Sequence, residues 1–194
     1  MEVLPSAYFP SLEYTRVLLT AQRIVLDYHE NFIKQSIRSR CHILSANGVL
    51  KLNVPIIHNG KQATSKVAID YSKNWQTEHL RAISSAYAKA PYFEYYFYDI
   101  AKLLELSPKY LTQLNESILL WLDRALDLKS NFQRASNYTD QIALDKKHWL
   151  NSSSNPTLTY TQTFGEENEF VNNLSVIDGL MNEGPLIRNH FLPR

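Results

Sequence analysis

Lys34, Ser36, Arg38, Arg40 and His42 recur at every second position, and on an extended strand that spacing puts all five side chains on one side. A rigid row of cations suits a phosphate or a carboxylate, because each arginine offers a planar fork of N–H donors and a strand lowers the cost of ordering them. The commoner use of such a row is the solvated outer face of an antiparallel sheet. Asp27, His29 and Glu30 form a second group, directly after the apolar run Ile24-Val25-Leu26, where open α/β sheets gather ligand-binding groups. A histidine there can act as acid or base near neutral pH, with a carboxylate to orient it. Trp75, His79, Ile83 and Tyr87 fall four apart, a helical stripe that points inward. A histidine on such a stripe is more often a hydrogen-bonded core residue than a catalyst. The aromatic run from Tyr92 to Tyr98 could stack a base or a sugar ring, although on a helix half of it belongs to the core.

The element that must position the cationic row is a β-hairpin. Asn47-Gly48 is a strong two-residue turn signal, and with those residues as the loop Ala46 faces Val49, Ser45 faces Leu50, Ile43 faces Leu52 and Cys41 faces Val54. One face is then mostly apolar. The other carries Leu44 with Lys51, His42 with Asn53, and then Arg40, Arg38, Ser36 and Lys34. Before the hairpin, a strand near Val3-Leu4, a short helix from Leu12 to Ala21 and a strand from Arg23 to Asp27 predict a right-handed parallel crossover. After it come a strand within Lys66 to Tyr71 and a helix from Trp75 to about Lys89, capped by Ser72 or Asn74. Helices follow from Tyr92 to Leu106 and from Tyr110 to Asp127. Phe132 to Ser136 returns to the sheet, and Asn151 to Pro156 reads as an exposed loop. Ser175 opens a short helix that Gly184-Pro185 closes.

Composition bounds the remaining choices. The 194 residues, 44% hydrophobic and 20% charged, suffice for one domain with a real core, taken as residues 1–194. The formal net charge of +1 argues against nucleic-acid binding through the overall field, so any anion site must be local. The one cysteine, Cys41, excludes an internal disulfide and falls on the apolar face of the hairpin, where its thiolate is disfavoured. Five glycines, none close enough to another to build a phosphate loop, and no Gly-x-Ser-x-Gly turn remove the common nucleotide-binding and hydrolase signatures. No leader-like start and no spanning apolar run occur, so the expected setting is cytoplasmic without membrane insertion.

Several segments taken together resemble the WbqC-like family of bacterial proteins. They are Tyr8-Phe9-Pro10, the run VLDYHE ending at Glu30, KQSIRSR from Lys34 to Arg40, and Asn47-Gly48 with LNVP. Trp75 with His79, AYAKAPYF ending at Phe93, Tyr160-Thr161-Gln162-Thr163-Phe164 and NLSVIDGLMNEGP from Asn173 to Pro185 complete the set. Each segment is weak alone; their order and near-complete coverage of the chain carry the resemblance. It implies an association with bacterial surface-polysaccharide gene clusters and action on an activated amino sugar. The recurring polar positions of the family map onto Glu30, Lys34, Gln35, Arg38, Arg40, His79, Tyr87, Asp178, Asn182 and Glu183. This chain departs in reading Arg38-Ser39-Arg40 for the commoner Arg-Asn-Arg, and in reading Asp140-Gln141-Ile142 where an arginine usually follows the acid by two.

The expected protein is therefore α/β, with a mixed sheet that has a β-α-β start, an antiparallel hairpin extension and flanking helices; α+β is the near alternative. The expected function is acyl or aminoacyl transfer to an activated amino sugar. Glu30 or His79 would take the proton, and Lys34, Arg38, Arg40, Tyr87, Asn182 and Glu183 would contact the ligand. Losing Arg38 is expected to weaken ligand binding far more than folding. The partner is a small anionic substrate such as a nucleotide sugar, with no nucleic acid, no metal and no cofactor, and with self-association left open. The alternative is a non-catalytic accessory or scaffold protein of a polysaccharide-assembly complex, using the Tyr92 to Tyr98 aromatics as its contact surface.

Overall fold

A computed structural model describes residues 1–57, 60–129, 132–137, 159–165 and 169–191. The expected loop at 151–156 and the departure at 140–142 lie outside these residues.

Strand β1 (Glu2–Pro5), helix α1 (Leu12–Thr20) and strand β2 (Ile24–Asp27) make the parallel crossover that the sequence predicts. Glu2 pairs with Ile24 and Pro5 with Asp27. Ser11 caps α1, its hydroxyl accepting from the Tyr14 N–H at 3.3 Å, which satisfies one of the donors a helix start leaves open. The helix buries Leu12, Tyr14, Val17 and Leu18. Later elements are β3 (Arg40–Ser45), β4 (Gly48–Asn53), β5 (Ile56–Ile57), a 3-10 turn at Thr64–Lys66 and β6 (Ala68–Ile69). Helices α2 (Trp75–Tyr87), α3 (Phe93–Glu105) and α4 (Leu111–Leu126) follow. Strand β7 (Phe132–Arg134) then returns to pair parallel with β2, giving the order β1-β2-β7. Helix α5 (Val176–Glu183) and a 3-10 helix at Gly184–His190 end the described chain. The parallel strands, the β3–β4 hairpin and the β5–β6 pair form separate small sheets, and helices pack beside them around a continuous core that includes Leu4, Ile43, Ile83, Ile100, Ile118 and Ile177.

The hairpin differs from expectation in register. Ser45 pairs with Gly48, Ile43 with Leu50 and Cys41 with Leu52, so the loop is Ala46-Asn47 and the pairing is shifted by two. Gly48 has φ +92°, whereas Asn47 is not among the residues of positive φ. That fits a tight turn whose following glycine takes the left-handed conformation, the other common use of an Asn-Gly pair. A shift of two preserves which side chains share a face. Cys41, Ile43 and Leu52 are buried as expected, and Leu44, expected on the polar face, is buried as well. Its N–H donates to the Tyr87 hydroxyl of α2 at 3.2 Å, so helix packing covers part of the second face.

Helix α5 ends at Gly184, with φ +61° and ψ −146°, a region reserved for glycine. A Cβ there would lie 2.5 Å from the Tyr92 ring, and the Tyr92 N–H donates to the Met181 carbonyl at 3.0 Å. This close approach ties α5 to the start of α3.

Candidate functional site

The cationic row does not stand on one strand. Strand β3 begins only at Arg40, and the preceding residues turn: Gln35 has φ +57°, and the Ser39 N–H donates to the Ser36 carbonyl at 3.2 Å. Thr64 holds the entrance to this segment through its N–H and hydroxyl, both on the Glu30 carbonyl at 2.9 and 3.1 Å. The Phe32 N–H donates to the Gln62 carbonyl at 2.9 Å.

This turn sends Arg38 inward. Its side chain is 0% exposed, ion-paired to Glu30, which is 2% exposed; the guanidinium Nε donates to Glu30 Oε1, and Nη1 donates to the Ser36 hydroxyl at 3.2 Å. The Arg38 carbonyl in turn accepts from Asn115 Nδ2 at 2.8 Å. Arg38 is thus placed away from the solvated face on which strand alternation put it, because the chain folds back before β3 begins.

Lys34, Gln35 and Arg40 come together instead. With Phe32, Asn53 and Ile56 they line an open cleft of about 210 Å³. Asn53 is the cross-strand partner of Arg40, so the two side chains lie on one face. Arg40 Nε is buried and has no hydrogen-bond partner among the described residues, an expensive state for a cationic donor unless something else satisfies it. Arg40 also lines a small crevice of about 20 Å³, room for about one water, shared with Pro10, Ile37, His42, Asn173 and Ser175. The half-buried His42 is held below the ordinary histidine range, first by burial and then by the neighbouring Arg40 and Lys51 charges.

The other residues singled out in the sequence are engaged elsewhere. His79 is buried, its Nδ1 2.8 Å from the Tyr8 hydroxyl, with Trp75 edge-on at a ring separation of 5.1 Å. Burial lowers its pKa to about 4, opposed by a hydrogen bond with the backbone of Asn53. The Tyr87 hydroxyl donates to Asp178 at 2.7 Å, and the same carboxylate accepts from Tyr160 and, at 3.2 Å, from Gln162 Nε2. Asp178 is pushed above the usual carboxylate range by burial, with those three donors working against the shift. Asn182 accepts from the Thr163 hydroxyl at 2.8 Å, and Glu183 lies 4.0 Å from His190. Tyr87, Asn182 and Glu183 do not line the Lys34–Arg40 cleft. The site read from the sequence omits Asn53, although strand alternation places it on the polar face with Arg40. Cys41 is buried and its thiol is pushed upward by desolvation.

Chemically, two cations, two amides and flanking apolar side chains around open space can hold a phosphate or carboxylate beside a ring or aliphatic group. A family model described as the WbqC-like protein family matches residues 6–154, which takes in the whole of this cleft. No curated protein and no solved structure matches the chain.

Proposed function

The chain belongs to the WbqC-like protein family, and from that premise we propose that it is an enzyme of bacterial surface-polysaccharide biosynthesis, transferring an acyl or aminoacyl group to the amine of an activated amino sugar. The observation that carries this reading is Arg40, whose buried Nε lacks a partner at the edge of a cleft that also holds Lys34. Arg40 and Lys34 hold the phosphates or carboxylate of the substrate, Gln35 and Asn53 supply amide contacts, and Phe32 and Ile56 flank its less polar part. Glu30 and Arg38 act by holding the 30–40 turn in place rather than by touching substrate. His79 supports β4 from behind through Asn53.

A thermal-shift screen against nucleotide-activated amino sugars, nucleotides, acyl thioesters and free amino acids tests the proposal, since a ligand that binds only the folded state raises its melting temperature. The expected result is a rise with a nucleotide amino sugar that disappears in Arg40→Ala. Equal shifts in both proteins, or none with any class, would overturn it.

A second reading, a non-catalytic subunit of a polysaccharide-assembly complex, is favoured by one observation. Tyr95 and Tyr98 of α3 are 72% and 63% exposed, while Tyr96 between them is core. Concentration-dependent association abolished by Tyr95→Ser with Tyr98→Ser, in a protein that binds no member of the screen, would favour this reading.

A further inference from the structure

The β3–β4 hairpin is closed along one edge and open along the other. Ser45 and Gly48 form its closing pair, and from there the main-chain groups of successive residues point alternately between the strands and away from them. On β3 the outward groups are taken. The His42 carbonyl accepts from the Ser175 N–H at 2.8 Å, and the Leu44 N–H donates to the Tyr87 hydroxyl at 3.2 Å. Lys51 and Val49 are the cross-strand partners of these two residues, so their own N–H and C=O groups point outward from β4. Among the described residues no further strand pairs with β4, and no hydrogen bond reaches the outward groups of Val49 or Lys51. Asn53, the next outward residue, is engaged through its backbone by His79. The open edge therefore runs from Gly48 to Leu52 and is centred on Leu50. It carries Val49 at 52% and Leu50 at 38% exposure, with Lys51 as its one charge.

We propose that this edge is a self-association surface, on which β4 of a second copy of the chain pairs antiparallel about a two-fold axis through Leu50. Val49 of each copy then faces Lys51 of the other. Both members of each such pair present outward N–H and C=O groups, so main-chain hydrogen bonds form symmetrically and leave no group of the open edge unmatched. Leu50 meets Leu50 of the second copy in the closer, non-hydrogen-bonded pairing, on the face it shares with the buried Ile43 and Leu52. The two hairpins become one four-stranded sheet. The pairing needs nothing from the Lys34–Arg40 cleft and stands whether or not that cleft binds an amino sugar.

A second copy fits this edge because the edge is its own complement, and charge fixes the register. Sliding the pairing towards Asn53 would set Lys51 against Lys51 of the other copy, and like charges directly opposite each other are destabilising. Sliding it the other way would leave Lys51 opposite Asn47 in the turn. In the symmetric register each Lys51 ammonium stays in water while its methylene stem covers the exposed Val49. A formal net charge of +1 gives little repulsion between copies. An open edge with apolar side chains is a ready template for another strand. So short an edge buries less than a permanent dimer needs, and the association is weak and concentration-dependent.

The experiment is sedimentation velocity on the full chain from micromolar to millimolar concentration, joined to disulfide trapping. The wild type is expected to move reversibly from monomer towards dimer. Val49→Pro removes an outward donor without removing a hydrogen bond to β3, and Leu50→Glu sets two carboxylates face to face. Each should hold the chain monomeric while its circular dichroism stays that of the folded protein. Under mild oxidation Leu50→Cys should form a disulfide-linked dimer several-fold faster than Val49→Cys or Lys51→Cys. Only position 50 meets its own copy across the axis at a separation a disulfide spans, and the native Cys41 is buried. Equal trapping at the three positions would mean random collision and overturn the pairing. A chain that stays monomeric at millimolar concentration would overturn it too. So would a dimer that survives both Val49→Pro and Leu50→Glu, or one lost in Tyr95→Ser with Tyr98→Ser, which would place the contact on α3.

Discussion

Arg38 and Glu30, eight residues apart, neutralise each other inside the protein, with the guanidinium 0% and the carboxylate 2% exposed. A buried pair of this kind adds little over an apolar pair, yet removing one partner strands a charge away from water. Arg38→Ala and Glu30→Ala should each cost about 3–5 kcal/mol of stability, read from urea unfolding. The double replacement Glu30→Leu with Arg38→Met should cost much less than the sum of the two. This reverses the sequence-based expectation that Arg38 matters more for ligand than for folding. An Arg38→Ala protein of unchanged stability would refute the sealed-pair account.

Arg40 and Lys34 should behave in the opposite way. Lys34 is exposed, and the buried Nε of Arg40 has no acceptor among the described residues to lose. Lys34→Ala and Arg40→Met should therefore leave the urea midpoint nearly unchanged. Each should weaken pyrophosphate binding about ten- to a hundredfold, since a hydrogen bond to a charged group contributes roughly 1.5–3 kcal/mol. Calorimetric titration checks the affinity. A stability loss matching that of Arg38→Ala would show that Arg40 is part of the core instead.

The contrast between these arginines shows what the sequence could and could not reveal. The β-α-β start, the boundaries of the main helices, the inward stripe of Trp75, His79, Ile83 and Tyr87, and the Ser175 cap were all legible, because local periodicity and capping chemistry determine them. The hairpin was legible in its faces but not in its register, since Asn-Gly serves more than one turn type and a shift of two leaves every face intact. The alternation from Lys34 to His42 looked like a strand throughout. Only its last three residues, from Arg40 on, are strand, because Gln35 adopts a left-handed conformation that its residue type does not announce. The Glu30–Arg38 pair depends on that turn, so its burial is a tertiary fact with no periodic signal. Two of the basic residues still reach one cleft, Lys34 from the turn and Arg40 from the strand.

His79 should impose a pH dependence on stability. Its folded pKa of about 4 lies below the unfolded value near 6.5, so between these values the unfolded chain binds a proton that the folded protein does not. Stability is then fully present above about pH 6.5, falls as the pH drops towards about 4, and loses about 3 kcal/mol over that window. Asp178, raised by burial, acts in the opposite sense: the folded protein holds its proton more tightly, so that contribution declines as pH rises through the carboxylate range. Comparing unfolding free energies of the wild type and His79→Gln from pH 4 to 8 isolates the histidine as the difference between the curves. Parallel curves would mean that His79 is not buried as a neutral ring.

Gly184 should be among the least replaceable small residues in the described chain. Its φ of +61° with ψ of −146° costs a residue with a Cβ about 1–3 kcal/mol in backbone strain. The Cβ would also sit 2.5 Å from a Tyr92 ring atom, and crowding of that kind adds about 1–3 kcal/mol. Gly184→Ala is expected to lower the unfolding free energy by about 2–6 kcal/mol from these two sources together. Removing the ring separates them. In a Tyr92→Ala background the crowding has no target, so Gly184→Ala should there cost only the backbone share. An equal penalty in both backgrounds would assign the whole effect to the backbone and leave the Tyr92 contact without energetic weight.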